Sequence, residues 1–229
     1  MRLPPLRPAT LIRRYQRFLA DIAWPDGTVT TVHTPNTGSM RQCINVGARV
    51  LVSHSDNAKR KYPWTLELIE VDGHWVDTNT QRSNKVVAEA LQLNTIAGLQ
   101  GFDVYPEKKL GASRIDFLLE KEGQRLWLEV KNVTLMITRA CAGFPDAVTE
   151  RGRRHLRELM AAIDQGDQAA VFFLVQRPEA QLFAAAAEID PDYAEQLAMA
   201  MAHGVEAYAC QCETDEEQTR IVRRLPVMI

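Results

Sequence analysis

The stretch Ser113-Arg114-Ile115-Asp116-Phe117-Leu118-Leu119, followed by Leu126-Trp127-Leu128-Glu129-Val130-Lys131, predicts two neighbouring β-strands near the middle of the chain. Between them, Lys121-Glu122-Gly123-Gln124 is typical of a hairpin turn whose two loop residues are Glu122 and Gly123. If Lys121 pairs with Gln124, the register sets Asp116 directly opposite Glu129. Two like charges at that spacing destabilise a sheet, so the register predicts that a cation lies between the two carboxylates.

Lys131 follows Glu129 by two residues and therefore projects from the same face of its strand. Two carboxylates and one ammonium group that converge on a point are typical of a phosphodiesterase site with a divalent metal. The residue pattern also leaves open a simpler alternative, a surface ion pair between Lys131 and Asp116 across the two strands.

The composition indicates a folded protein of one large or two small domains. The chain has 229 residues, of which 46% are hydrophobic and 24% charged, and its net charge is −2. Residues 1–80 carry 10 Lys and Arg against 7 Asp and Glu, whereas residues 81–229 carry 17 against 22. The N-terminal part is therefore better suited to face a polyanion. The first residues lack an apolar leader and no run reaches membrane-spanning length, which favours a cytoplasmic protein without a membrane partner.

Residues 1–80 are expected to form a small barrel of the OB type. Short strands are predicted at 17–24, 28–33, 48–53, 65–71 and 74–76. About five strands of this length suit an OB-like β-barrel, which is a fold that binds nucleic acids.

Residues 81–229 are expected to form an α/β domain with a mixed central sheet flanked by helices. Apolar residues at helical spacing predict a helix from about Ser83 to Leu99, and two further helices over 146–164, with Asp146 as N-cap, and over 193–203. Residues 143–145 are expected to form a loop. Strands at 169–175 and 205–210 complete the predicted order αββαβαβ.

Several longer motifs, spread from about residue 10 to 228, resemble the sugar fermentation stimulation protein A family. They are His33-x-Pro35-Asn36-Thr37-Gly38-x-Met40, Arg60-Lys61-Tyr62-Pro63, Ser113-Arg114-Ile115-Asp116-Phe117, Glu129-Val130-Lys131-x-Val133-Thr134-Leu135 and Phe144-Pro145-Asp146-Ala147-Val148-Thr149-x-Arg151-Gly152-x-x-His155-Leu156. The resemblance implies an OB-like domain, a domain of the PD-(D/E)xK nuclease type, DNA binding without marked sequence preference, and a link to the regulation of sugar use, maltose in particular. The stretch between the two acids is shorter than is usual in the family, and Asn132 stands where Ser is commoner.

The resemblance to this nuclease type also implies roles for the acids. Asp116 and Glu129 would ligate Mg²⁺ or Mn²⁺, with the carbonyl of Val130 as a third oxygen. Lys131 would position the attacking water and stabilise the charge that develops on phosphorus. Glu89, on the preceding helix, is the candidate fourth acid, and a solvated position beside the apolar face of that helix is the alternative.

Two clusters of basic and aromatic residues suit a nucleic-acid strand that lies across the barrel. They are Arg13-Arg14-Tyr15 and Lys59-Arg60-Lys61-Tyr62 with Trp64. Asn36, Thr37 and Ser39 could donate hydrogen bonds to phosphate oxygens. A solvated basic loop and ordinary turn chemistry are the respective alternatives.

Three residues of the helix predicted after Pro145, namely Arg151, Arg154 and His155, are expected on one side of it. They could contact a phosphate near the metal. Alternatively, Arg151 pairs with Glu158 on the same helix and His155 caps a buried carbonyl.

The sequence thus predicts a DNA-binding protein with little sequence preference that carries a site for Mg²⁺ or Mn²⁺. Three functions stay open: a metal-dependent nuclease, a regulator that binds DNA through a vestigial nuclease fold, and a regulator that binds protein partners only. Whether the chain forms a homo-oligomer also stays open.

Overall fold

The N-terminal strands close into a small barrel because their inward side chains share one apolar core. The computed structural model, which describes residues 1–36 and 38–229, places six strands there: β1 Leu6–Tyr15, β2 Leu19–Ala23, β3 Val29–His33, β4 Arg49–His54, β5 Trp64–Val71 and β6 His74–Asp77. Their order is β3-β2-β1-β4-β5-β6, and a bridge between His33 and Thr65 joins β3 to β5. This architecture agrees with the barrel expected for residues 1–80.

The remainder of the chain, described without a gap from residue 80 to 229, combines three helices with ten strands. They are α1 Thr80–Gln92, β7 Asp103–Leu110, β8 Ser113–Lys121, β9 Gln124–Val133, β10 Leu135–Met136, β11 Cys141–Phe144, α2 Glu150–Asp164, β12 Gln168–Val175, β13 Leu182–Ala185, α3 Pro191–Ala202, β14 Glu206–Thr214, β15 Thr219–Leu225 and β16 Val227–Met228. The main sheet has the order β15-β14-β12-β9-β8-β7, and a smaller sheet has the order β10-β11-β13-β16. The main sheet is mixed, because β12 runs parallel to β9 and β14 whereas the outer pairs are antiparallel.

Helices cover both faces of the main sheet. Successive residues of β12 alternate between the faces, so Phe172 packs with Val87 and other α1 residues, whereas Phe173 packs with Leu156 of α2 and Leu197 of α3. Both phenylalanines are fully buried. In the described ranges 1–36 and 38–229, no helix is both long enough and apolar enough to cross a bilayer.

The first helix begins and ends earlier than predicted. It starts at Thr80 because the side chain of Asn79 accepts the N–H of Gln81 and caps the helix. It ends at Gln92, and Asn94 has a left-handed backbone with φ +55°. The apolar residues beyond that point, Ile96 and Leu99, are buried although they lie in a loop. Their spacing therefore reflects burial and not a helix.

The second helix is capped by Thr149, whose hydroxyl accepts the N–H of Gly152 at 3.1 Å. The prediction that Asp146 is the N-cap is therefore wrong. The carboxylate of Asp146 instead accepts the N–H of Met40 at 2.9 Å and the hydroxyl of Ser39 at 3.0 Å. This side chain is engaged by the barrel and ties a barrel loop to the α/β domain.

Several strands have no counterpart in the sequence prediction. They are β1, β7, β10, β11, β13, β15 and β16. β7 is a mostly exposed edge strand that contains Pro106, so it lacks the apolar alternation on which the prediction depends. Gly143 and Phe144, expected in a loop, belong to β11, and Arg17, expected in a strand, lies in the turn before β2.

A buried arginine joins the two domains. Arg82 of α1 donates from Nη1 to Oδ2 of Asp77 at 2.8 Å and from Nη2 to Oε2 of Glu67. Ser53 donates to the other oxygen of Glu67 at 2.6 Å. Burial raises the pKa of Asp77 to about 6, against the opposing charge of Arg82. Each buried charge has a partner of opposite sign, which is the condition under which a buried ion cluster is tolerated.

We expect Arg82→Met to lower the free energy of unfolding by about 3 to 5 kcal/mol, because it leaves two buried carboxylates without their cation. Urea denaturation of the full chain measures this change. Arg220→Met is the control, since Arg220 pairs with Glu213 at 3.0 Å where both side chains are exposed. The control should change stability by less than about 1 kcal/mol. Equal effects of the two substitutions would contradict the role assigned to Arg82.

Candidate functional site

The hairpin of β8 and β9 has the register predicted from the sequence. Lys121 pairs with Gln124, and the ladder continues to Phe117 opposite Leu128. The turn residues Glu122 and Gly123 have φ of +50° and +82°, the left-handed conformations that this turn type requires. The ladder ends one position before the two acids, which lie next to each other where the strands part.

The carboxylate of Asp116 replaces a backbone acceptor at the end of this ladder. The N–H of Val130 donates to Oδ2 of Asp116 at 2.8 Å instead of to a carbonyl of β8. Because the N–H and C=O of a strand residue point to the same side, the carbonyl of Val130 faces the same gap. Asn84 of α1 donates from Nδ2 to Oδ1 of Asp116 at 2.7 Å. A strand and a helix thus fix this carboxylate together.

The carboxylate of Glu129 is almost completely buried beside a lysine and a histidine. Its Oε1 accepts Nζ of Lys131 at 2.7 Å and contacts Nδ1 of His155. Its Oε2 is buried and has no hydrogen-bond partner among residues 1–36 and 38–229. The ion pair of Lys131 is therefore with Glu129, and the alternative pairing with Asp116 is wrong.

The two carboxyl groups have opposite pKa shifts. Burial raises the pKa of Asp116 to about 6, and the negative charge of Glu129 adds to the rise. Burial also acts to raise the pKa of Glu129, but Lys131 and His155 outweigh it and lower that pKa to about 2. As pH falls, Asp116 therefore takes up a proton well before Glu129 does.

These groups lie on the wall of a cavity of about 380 Å³ between the two domains. The α/β domain contributes Asp116, Glu129, Val130 and Lys131, together with the segment 143–149 that leads from β11 to α2. The barrel contributes Arg17, Asn36 and Gly38 to the same lining. The cavity lining thus combines oxygen donors with cations, and both domains supply it.

The donors in this cavity fit a hard divalent cation. They are the carboxylate of Asp116, the unpartnered Oε2 of Glu129 and the carbonyl of Val130. Mg²⁺ binds proteins through one or two carboxylates and keeps several waters, so two acids suffice. Over residues 1–36 and 38–229, no group of three or more His, Cys, Asp or Glu side chains is placed to hold a metal ion. The oxygen donors in the cavity are of the kind that hard cations such as Mg²⁺ and Ca²⁺ take.

Glu89 does not join the site. Its side chain is 46% exposed and pairs with the N-terminal ammonium of Met1 at 2.5 Å. Five residues separate Glu89 from Asn84, which is a rotation of about 140° around the helix at 3.6 residues per turn. The side chain that α1 contributes next to Asp116 is therefore Asn84, and the expectation for Glu89 is wrong.

The exposed cations predicted to bind nucleic acid lie on the barrel, outside the cavity lining. Arg13 is exposed and pairs with Asp21 at 2.7 Å. The predicted basic loop lies between β4 and β5: Lys59 and Lys61 are exposed, Lys61 lies over the ring of Tyr62, and Arg60 donates to Thr65. Their role in binding stays a prediction.

Arg14 and Asn36 are structural in this fold. Nη2 of Arg14 lies within hydrogen-bond distance of the carbonyls of Arg17, Asn36 and Gly38, and burial lowers the pKa of this guanidinium. These contacts engage Nη2 of Arg14, and its role in binding a phosphate stays a prediction. Asn36 is buried, and its Oδ1 accepts the N–H of Gly38 at 2.8 Å, as turn chemistry predicts. Thr37 lies outside the described residues.

The three predicted residues of α2 separate into different environments. Arg151 lines the cavity and donates from Nε to Nε2 of His155 at 3.4 Å rather than to Glu158. His155 is buried and contacts Glu129, so it neither reaches a phosphate nor caps a carbonyl. Arg154 is exposed and donates to the hydroxyl of Ser113 at 3.3 Å.

Asn84 and Arg17 are among the cavity residues that sequence reasoning missed. Asn84 stands three and seven residues before Val87 and Leu91, so it extends the buried stripe of α1 by one turn. A polar residue at the end of an apolar helix stripe is the sequence signal that indicates such a cavity residue. Arg17 carried none, because its position depends on a turn whose geometry the sequence does not indicate.

The fold defines a class of two-domain proteins in which an OB-like barrel precedes an α/β domain with a mixed sheet. Residues 12–77 match the family model described as the SfsA N-terminal OB domain, and residues 81–218 match the sugar fermentation stimulation protein RE domain. The chain belongs to the sugar fermentation stimulation protein family. The predicted family, barrel and α/β fold are confirmed.

Relatives align over the whole length. A sugar fermentation stimulation protein homolog of Syntrophotalea carbinolica is 53% identical over 230 residues and covers 100% of both chains. A homolog from Geobacter metallireducens is 48% identical with the same coverage. The solved structure of Pyrococcus furiosus SfsA in complex with Ca²⁺ has a TM-score of 0.91 and 26% identity, and covers 100% of this chain and 98% of its own.

We expect Glu129→Gln to lower the pKa of Asp116 below its value of about 6, because the substitution removes a neighbouring negative charge. Carboxyl-carbon NMR titration of the metal-free protein measures this pKa. Glu89→Gln removes an exposed acid outside the cavity and should leave Asp116 unchanged. If the pKa of Asp116 stayed constant or rose in Glu129→Gln, the two acids would not interact as described.

Proposed function

We propose that this protein binds DNA with little sequence preference and holds Mg²⁺ or Mn²⁺ at Asp116, Glu129 and Val130. One observation carries the proposal: the three oxygen donors and Lys131 share a cavity that residues of an OB-type barrel also line. OB barrels bind nucleic-acid strands, so the placement would bring a phosphate backbone next to the acids.

The solved archaeal relative supports the metal part of the proposal. It was solved in complex with Ca²⁺, and both Ca²⁺ and Mg²⁺ take oxygen ligands. The relative therefore favours a divalent cation without distinguishing among ions. The choice of Mg²⁺ or Mn²⁺ for this chain rests on its small set of two carboxylates and one carbonyl.

The side chains of the cavity would have separate tasks in phosphodiester hydrolysis. When bound, Mg²⁺ or Mn²⁺ would supply Lewis-acid activation of phosphate and water. Asn84 and the N–H of Val130 hold Asp116 in place, and His155 holds Glu129. Lys131, with a side chain 11% exposed, pairs with Glu129 while its ammonium remains close enough to stabilise charge on a phosphate in the cavity.

The low sequence preference follows from the kind of contacts available. The exposed cations Lys59 and Lys61 on the barrel, and Arg151 at the cavity, suit phosphate oxygens. Contacts to phosphates position a protein on DNA but carry no sequence information.

A DNA-binding regulator without turnover is the second candidate. It is favoured by the contacts of Lys131, whose ammonium lies 2.7 Å from Glu129 and 3.4 Å from Nδ1 of His155. A lysine so engaged serves as a counter-ion even when no phosphate is present. Cleavage assays separate this candidate from a nuclease.

We expect wild-type protein to bind Mn²⁺ in isothermal titration, and Asn84→Ala to weaken binding by about 10- to 100-fold, because Asn84 orients Asp116. Asp116→Asn should lose binding, whereas Glu89→Gln should match wild type. No Mn²⁺ or Mg²⁺ binding by wild-type protein would refute the metal site. Cleavage of plasmid and single-stranded DNA that requires the metal and is lost in Lys131→Met would establish the nuclease, and its absence would leave the regulator.

We expect changing Lys59, Arg60 and Lys61 together to Gln to flatten the dependence of DNA affinity on salt. Each phosphate contact on a duplex contributes about 0.9 to the slope of log affinity against log salt, so the slope should fall by about 1 to 3. Anisotropy titrations over a range of salt concentrations measure it. Changing Lys121 and Arg220 to Gln is the control, since both lie on the α/β domain outside the cavity. An unchanged slope would show that the basic loop does not contact DNA.

A further inference from the structure

The turn between β1 and β2 is strained in its backbone. Tyr15 pairs with Leu19, which leaves Gln16, Arg17 and Phe18 as a three-residue loop. Gln16 and Arg17 have φ of +49° and +63°. Left-handed conformations are unfavourable for residues with a Cβ, and two in succession without glycine are uncommon.

Contacts from neighbouring segments hold this turn in its conformation. The half-buried guanidinium of Arg14 donates to the carbonyl of Arg17, and the N–H of Thr34 donates to the carbonyl of Phe18 at 2.8 Å. Arg14 also reaches the carbonyls of Asn36 and Gly38, so the loop on the cavity wall and the turn share one clamp. Strained backbone that is held in place by several surrounding contacts is a feature of functional sites.

The clamped turn carries a cation and an aromatic ring at consecutive positions. Arg17 lines the cavity that contains Asp116 and Lys131. Phe18 follows it directly and is 45% exposed. A phenylalanine held at the surface contributes less to folding than a buried one, whereas an exposed ring suits stacking on a nucleobase.

We propose that Arg17 and Phe18 form a contact for single-stranded DNA, in which Phe18 stacks on an unpaired base and Arg17 pairs with an adjoining phosphate. The inference rests on the proposed DNA binding and deepens it, because stacking on a base face requires a strand whose bases are free. It assigns a strand preference to the protein: single-stranded or locally open DNA enters the cavity past this turn.

Anisotropy titrations of the full chain with a 5′-labelled single strand and with the matching duplex, in Ca²⁺ and again in EDTA, test the proposal. Phe18→Ala and Phe18→Leu should weaken single-strand binding by about tenfold, because one base–aromatic stack is lost. Phe18→Tyr keeps the ring and should bind as wild type does. Arg17→Gln should lower the salt slope by about 1, and Arg17→Lys should retain it.

Val46→Ala, which truncates another exposed apolar residue of the barrel, is the matched control and should change neither affinity. Thermal unfolding of each variant shows whether the barrel is intact. Single-strand affinity that survives in both Phe18→Leu and Phe18→Ala overturns the contact while leaving DNA binding in place. Wild-type protein that binds neither DNA form overturns the proposed function itself, and the two failures are thereby distinguished.

Discussion

The hydrogen bond from the N–H of Val130 to the carboxylate of Asp116 fixes the position of this acid at the end of the β8–β9 hairpin, and the candidate site depends on it. Where β8 parts from β9, this N–H loses its strand partner, and an unpaired backbone donor in a buried strand is costly. The carboxylate of Asp116 accepts this N–H and is thereby held next to Glu129. A carboxylate oxygen accepts more than one bond, so the oxygen that completes the sheet retains capacity for a cation. Folding and the proposed metal binding would therefore depend on the same atoms, and loss of the Asp116 carboxylate would leave the N–H of Val130 without its acceptor.

The two acids of the site differ in how their charge is compensated. Glu129 has its own cation in Lys131 and a further donor in His155, which is why its pKa falls to about 2 in spite of burial. The two hydrogen-bond donors to Asp116, an amide and a backbone N–H, are both neutral, and burial raises its pKa to about 6. The less compensated negative charge of the pair is therefore at Asp116. The divalent ion that we propose would gain most there, and Glu129 would need only to offer its second oxygen.

The hairpin and its register could be predicted because one turn of known geometry fixes both. The motifs that identify the family are also local in sequence. The burial of β12 could be predicted as well, because its residues form one continuous apolar run. The resemblance to nuclease folds points to Glu89, whereas the structure places Asn84 beside Asp116, because periodicity does not specify which residue of a helix meets a distant strand. Periodicity also does not show whether a basic side chain makes contacts within the fold or lines a cavity. Arg14 and Arg17 are both arginines, but Arg14 at the end of β1 donates to backbone carbonyls, whereas Arg17 lies in the turn after β1 and lines the cavity.

The position of the cavity between the domains makes its chemistry depend on how rigidly they dock. Arg82 joins them through buried charges on one side, and Asp146 does so through the backbone N–H of Met40 on the other. Residues 81–229 carry a net charge of −5 and residues 1–80 a net charge of +3. A polyanion is therefore attracted to the barrel and repelled by the α/β domain, whereas a cation is attracted to the acids. With docking fixed, the DNA and the metal that we propose would meet in one cavity that both domains line, as a metal-assisted reaction on a phosphate backbone would require.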